Sequence, residues 1–319
     1  MKSKVTIGIL LAVVAGLAVL WLLPSSAPSY KGQSISTWIY QGYLDPNLKG
    51  DRRQAEEAVL AVGTNALPYY VKLLRTKRDS PLKLGIYRFL DDHPWLKMGV
   101  DIRRWAYSEG YSRAVGMVGL SLLGPDAQPA IQDLCMLFNS GDDDQAGRIA
   151  QTLPEMGLVG IEPLTNLLVN PNPTRCVSVL MSLSHYAKPE YKWTQRKRRL
   201  PEDIESAGNA IVPALIPYLS NTDSNLQVSA IYTIGEFAQA PELIVPMIIR
   251  LLKSSHSDTR MRYVLLLALE NYGSKAERAV PAVTEALQDP DQYVRQEAAQ
   301  ALKRIAPRTA DVNKHDLIE

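Results

Sequence analysis

The residues able to do chemistry are few and scattered. Iron or zinc needs several imidazole and carboxylate groups converging on one point. The four histidines, His93, His185, His256 and His315, are far apart and are followed by Pro94, Tyr186, Ser257 and Asp316, so the chain contains no His-Glu pair. The last apolar helical stretch, YVRQEAAQALKRIAP from Tyr293 to Pro307, offers Gln296-Glu297, a carboxylate with no imidazole beside it. The run Ser254-Ser255-His256-Ser257-Asp258 holds the letters of a hydrolytic triad. A triad needs its groups delivered to one pocket by separate elements, whereas these share one polar turn. Cys135 and Cys176 match no metal or redox spacing and read as buried thiols. No glycine-rich phosphate loop follows a strand pattern. The expectation is therefore no catalytic residue, no metal and no cofactor.

One dense basic run does stand out. Lys192, Arg196, Lys197, Arg198 and Arg199 lie beside Tyr191 and Trp193 in the segment AKPEYKWTQRKRRLPEDIES, residues 187–206. Aromatic and arginine side chains carry much of the energy of protein interfaces, because they bury area and make fork-shaped hydrogen bonds. These seven residues are the candidate partner-binding site. The competing reading is a solvated loop whose aromatics pack on a neighbour and whose cations pair with Glu202, Asp203 and Glu205. The net charge is +2, from 35 basic and 33 acidic residues, so no global field draws the chain to nucleic acid.

The elements that must position these residues begin with a membrane-length segment. Lys2 and Lys4 precede nineteen residues without a charge, Val5 to Leu23. At about 1.5 Å per residue such a helix spans a hydrocarbon layer of roughly 30 Å. The segment predicts an uncleaved anchor with a cytoplasmic N-terminus and the bulk of the chain on the far, periplasmic side, by the positive-inside rule. Secretion after cleavage is the alternative, disfavoured because Pro28 follows the only small-residue cleavage site, Ser25-Ser26-Ala27. Gly8, Ala12 and Gly16 recur every four residues and offer a close-packing face for a homodimer. Residues 24–33 read as a short linker rich in Pro, Ser and Gly, and residues 307–319 as a flexible polar tail.

Between them runs a repeat. Prolines at 68, 129, 163, 213, 246 and 281 each stand near the start of an apolar helical stretch, with clean spacings of 34, 33 and 35 residues. Proline suits a first helical turn, where its missing N–H has no intrahelical partner. A polar turn follows each stretch, as in SNTDSN or QDPDQ, and then a second helix. In the last unit Val294, Ala298, Leu302 and Ile305 line one face at 3.6 residues per turn. Gly63, Gly124, Gly157 and Gly273 end second helices and suit left-handed caps. Two spacings are long, 61 and 50 residues, which places insertions near 76–110 (holding Trp95 and Trp105) and 187–206.

Val294-Arg295, Ala298-Ala299 and Ala301-Leu302 give the pattern VRxxAAxAL, and with it the chain resembles the HEAT repeat of bacterial and phycobilin-lyase-like proteins. The resemblance covers most of residues 34–306. It implies an all-α fold, an α-solenoid of about seven helical hairpins, mostly a scaffold. It also implies that Arg53, Arg113, Arg148, Arg175, Arg260 and Arg295 form an inter-repeat ladder with Asp51, Asp144, Asp258 and Asp291, interrupted where Gln227 replaces arginine. Deoxyhypusine hydroxylase, an enzyme on this fold, binds iron through His-Glu pairs, and Gln296-Glu297 lacks the imidazole. The sequence thus points to a membrane-tethered, non-catalytic scaffold that binds a protein or peptide. Two alternatives are a nucleic-acid binder using Lys192 to Arg199 and a lyase-type enzyme accessory.

Overall fold

The computed structural model describes residues 27–45, 51–76, 81–92, 108–188, 201–254 and 258–307. The segment 5–23 and the candidate residues Tyr191 to Arg199 lie outside them. No helix among the described residues is long and apolar enough to cross a membrane.

The chain enters through a two-stranded ribbon, β1 (Ser29–Tyr30) against β2 (Gln33–Ser34). Lys31 and Gly32 turn it, both at positive φ, as two-residue hairpins require. Residues expected as a free linker are therefore docked. Tyr30 donates its hydroxyl hydrogen to Glu57 at 2.5 Å, and the Trp38 indole N–H donates to the Tyr30 carbonyl at 3.1 Å.

Fifteen α-helices follow among the described residues, and fourteen of them pair into seven hairpins. The first is α1 (Ile35–Ile39) with α2 (Arg52–Val62). The second is α3 (Leu67–Leu74) with α5 (Ser108–Leu123), separated by α4 (Pro81–Asp92), which occupies part of the first insertion. Then come α6 (Ile131–Ser140) with α7 (Asp143–Thr152) and α8 (Leu158–Asn166) with α9 (Pro173–Ala187). The last three are α10 (Pro201–Leu215) with α11 (Ser224–Phe237), α12 (Pro241–Ser254) with α13 (Thr259–Tyr272), and α14 (Val280–Glu285) with α15 (Gln292–Ile305).

Three local expectations change. Pro163, Pro213 and Pro246 lie inside α8, α10 and α12 rather than at their starts. An interior proline removes one hydrogen bond to the carbonyl four residues back. In α8 and α12 that carbonyl belongs to the first turn, so the proline disturbs only the helix entry. The terminal glycines Gly63, Gly157 and Gly273 do adopt positive φ, but with ψ of −145°, −159° and −137°. That is not the left-handed helical well but a region open essentially to glycine alone. The fifth hairpin uses Ala238 instead, in the true left-handed well at φ 48° and ψ 39°. Finally, Asp142 caps α7, where Asp144 was expected, while Asp144 pairs with Arg148. Asp51, Asp258 and Asp291 cap their helices as expected, joined by Asn172 and Asp223.

Packing follows from the amphipathic stripes. Buried side chains from every hairpin merge into one continuous core, from Ile35 and Ile39 to Leu302 and Ile305. The second helices α9, α11, α13 and α15 stack side by side, and they touch one another more extensively than the first helices of successive hairpins do. At Gly235 of α11 the approach is so close that a methyl group would sit 2.8 Å from the Cα of Ala268 in α13. Thr233 of α11 donates its hydroxyl hydrogen across to the Leu180 carbonyl of α9 at 3.0 Å.

Candidate functional site

Each second helix buries one stripe and leaves another free. On the last three hairpins the stripes that reach solvent carry Tyr232 and Glu236 of α11, Tyr263 and Glu270 of α13, and Arg304 of α15, with Glu297 of α15 buried beneath them. Lys188, immediately after α9, joins them at one end.

Lys188 shows how this strip treats a cation. Its Nζ donates to the Tyr232 hydroxyl at 2.7 Å, pairs with Glu236 at 3.2 Å and lies 5.2 Å from the Tyr232 ring centroid. Burial alone would lower the lysine pKa, yet the tyrosine and glutamate bonds outweigh it and the pKa is raised. The ammonium is thus held charged by one tyrosine hydroxyl and one carboxylate.

One helix further on, the same ingredients recur with no lysine among them. Glu297 is 4% exposed, its carboxyl lies against the Glu270 carboxyl and the Tyr263 hydroxyl, and its Oε1 has no hydrogen-bond partner. Burial first, and the Glu270 carboxyl second, push its pKa up to about 7. Glu270 in turn pairs with Arg304 at 3.3 Å, and Arg304 is largely exposed. Tyr263 reaches the surface, and its hydroxyl pKa is raised by burial and then by Glu297, with Tyr232 a smaller contributor. Two carboxyl groups from adjacent helices therefore meet under a tyrosine.

The predicted ladder forms only in part, since Arg175 and Arg260 reach the preceding hairpin on other partners than the expected aspartates, while Arg53, Arg148 and Arg295 bond within their own hairpins. Arg175 of α9 reaches back to the preceding hairpin, donating to Asp143 at 2.9 Å and to the Phe138, Asn139 and Gly141 carbonyls. Arg260 likewise reaches Asn225 of α11 at 2.9 Å. Arg295 stays within its own hairpin, on the Asp289 and Pro290 carbonyls. Gln227 donates to the Leu219 carbonyl at 2.7 Å and so keeps a turn contact where the arginine is missing. The strongest pair was not anticipated. Arg262 forks onto both oxygens of Asp289 at 2.7 and 2.9 Å, with both side chains almost fully buried. Against the pull of burial, Arg262 and the Asp291 N–H hold the Asp289 carboxyl below its usual range.

Nothing among the described residues gathers three His, Cys, Asp or Glu groups around a metal position. Cys176 is buried and donates to the Leu168 and Asn170 carbonyls, Cys135 is half-buried, and burial raises both thiols. A hydroxyl-lined cavity of about 220 Å³ lies between α1 and α5, bordered by Ser36, Tyr40, Ser108, Tyr111 and Ser112.

No curated protein matches the chain. Among solved structures, an engineered protein is similar with a TM-score of 0.40 and 18% identity, over 86% of this chain and 96% of that one. A designed armadillo repeat protein in complex with the peptide (KR)4 is similar with a TM-score of 0.39 and 14% identity, over 85% of this chain and 99% of its own. Residues 212–310 match the family model described as HEAT repeats. The chain is thus an all-helical repeat protein, and the hairpins that carry the Tyr263–Glu270–Glu297 cluster fall in the stretch that matches HEAT repeats.

Proposed function

We propose that this chain is a non-catalytic scaffold that binds an extended protein or peptide segment along its second-helix face while tethered to a membrane through residues 5–23. The observation that carries the reading is the stack α9, α11, α13 and α15, along one end of which Lys188, Tyr232 with Glu236, Tyr263 with Glu270, and Arg304 follow one another from helix to helix. Such a strip offers stacking faces and ion partners at the spacing of adjacent helices, about 10 Å. An extended chain at roughly 3.3 Å per residue places every third side chain near one of them. The uncharged run from Val5 to Leu23 supports the tether. Docking of Ser29 to Ser34 on the first hairpin leaves only about five residues between that run and the folded part, which would sit against the bilayer. The basic insert, Tyr191 to Arg199, follows Lys188 in the sequence and would supply the partner with further aromatic and cationic side chains.

Site-specific photo-crosslinking in membranes tests this. Benzoyl-phenylalanine at Met181, Ser229 or Leu267, on the second-helix face, is expected to give discrete adducts with an extrinsic protein. The same probe at Met136 or Leu243, on first helices, is expected to give none. Adducts from the first helices alone, or indiscriminate adducts from both, would overturn the assignment of the binding face. Release of the chain from membranes by carbonate would remove the tether.

A further inference from the structure

This inference rests on the scaffold reading and names the chemistry of its occupant. We propose that the Tyr263–Glu270–Glu297 cluster is a receptor for a single ammonium or guanidinium group of the bound segment, so that the partner carries a lysine or arginine at that point. Lys188 shows the recognition mode within the same strip, an ammonium held between a tyrosine hydroxyl and a glutamate. Among the described residues, the neighbouring cluster presents the tyrosine and two carboxyls but has no cation of its own at the buried end. The nearby Arg304 engages the Glu270 carboxyl from the exposed side and leaves Oε1 of Glu297 without a partner. A buried carboxyl without a counter-ion remains neutral or recruits one, since isolated buried charge is strongly disfavoured. Tyr263, about a third exposed, is the group an entering side chain would meet first. Its hydroxyl would meet the cation as the Tyr232 hydroxyl meets Lys188.

The groups facing Glu297 are Glu270 and Tyr263 from α13, with Tyr232 of α11 behind Tyr263 and Arg304 of its own helix acting on Glu270. Only Arg304 among these is cationic. Entry of a second cation therefore converts Glu297 from carboxylic acid to carboxylate, releasing one proton. Binding should then tighten as pH rises, by up to tenfold per unit, and level off above about pH 7.

The test uses full-length protein in detergent and a fluorescent octapeptide with lysine at alternate positions, read by anisotropy at pH 5.5 and 8.0 in fixed salt. Its acetyl-lysine counterpart is the control. Expected are preference for the lysine peptide, affinity at least tenfold higher at pH 8.0 than at pH 5.5, and loss of that pH dependence in Glu297→Gln. Glutamine reproduces the shape of the protonated acid, so this variant retains the fold, and circular dichroism checks that it does. Tyr263→Ala should weaken lysine-peptide binding about tenfold at pH 8.0. Equal binding of the acetylated peptide, or a pH dependence that survives in Glu297→Gln, would overturn the proposal, as would no binding of either peptide. If second-helix crosslinks persist while the lysine preference is absent, the scaffold reading stands and this inference alone falls.

Discussion

At the scale of single residues, two buried charged groups behave in opposite ways, and the difference is whether a partner of opposite sign is present. Arg262 and Asp289 are matched in charge and geometry, and their two-pronged bond links the start of α13 to the turn before α15. Breaking such a pair leaves an uncompensated buried charge, which typically costs 3–5 kcal/mol. Arg262→Ala is therefore expected to destabilise the last two hairpins by about 3 kcal/mol, measured by urea denaturation. A loss under about 0.5 kcal/mol would mean the pair is redundant. Glu297 has no counter-ion among the described residues and has a raised pKa. Its contribution to stability is present in full below the ordinary glutamate value of about 4.3 and is lost as pH rises through about 7. The melting temperature of the ligand-free protein should fall by a few degrees between pH 5 and pH 8, and Glu297→Gln should flatten that part of the profile.

At the scale of elements, the stack is set by small residues where helices touch. Gly235 of α11 rests on Ala268 of α13, and a side chain at position 235 would drive the two second helices apart. Gly235→Ala is expected to lose about 1–3 kcal/mol, even though alanine is the better helix former, because overpacking at backbone distance outweighs a propensity gain of about 1 kcal/mol. Unchanged or increased stability in a thermal melt would show that α11 and α13 can slide to make room. The contrast is Ala238, three residues on, where a left-handed conformation is held without glycine. There the strain lies in the backbone rather than the contact.

At the scale of the molecule, each hairpin leans only on its neighbours. On one side α13 packs against α11, with Ala268 on Gly235, and on the other side it packs against α15. Ending the chain after Gly273 would remove α14 and α15 and uncover that face of α13. The expected result is aggregation or a broadened, lower-temperature transition in calorimetry. A truncated chain that melts like the whole would show that the last hairpin is an appendage rather than a cap.

The local plan was legible in the sequence. Apolar residues at helical spacing, aspartates before second helices and glycines after them specify seven hairpins, because each signal acts within one turn of chain. The same locality explains the misreadings. Proline says that a helix is near but not how many residues precede it, and so α8, α10 and α12 begin upstream of their prolines. In Gln296-Glu297 the carboxylate was visible, but its role was not. What folding alone decided is which exposed side chains from different hairpins meet: Lys188 with Tyr232 and Glu236, Arg262 with Asp289, Glu270 with Glu297. Those meetings depend on the register in which one helix slides against the next, and that register is fixed by close contacts such as Gly235 on Ala268 rather than by any periodicity within a helix.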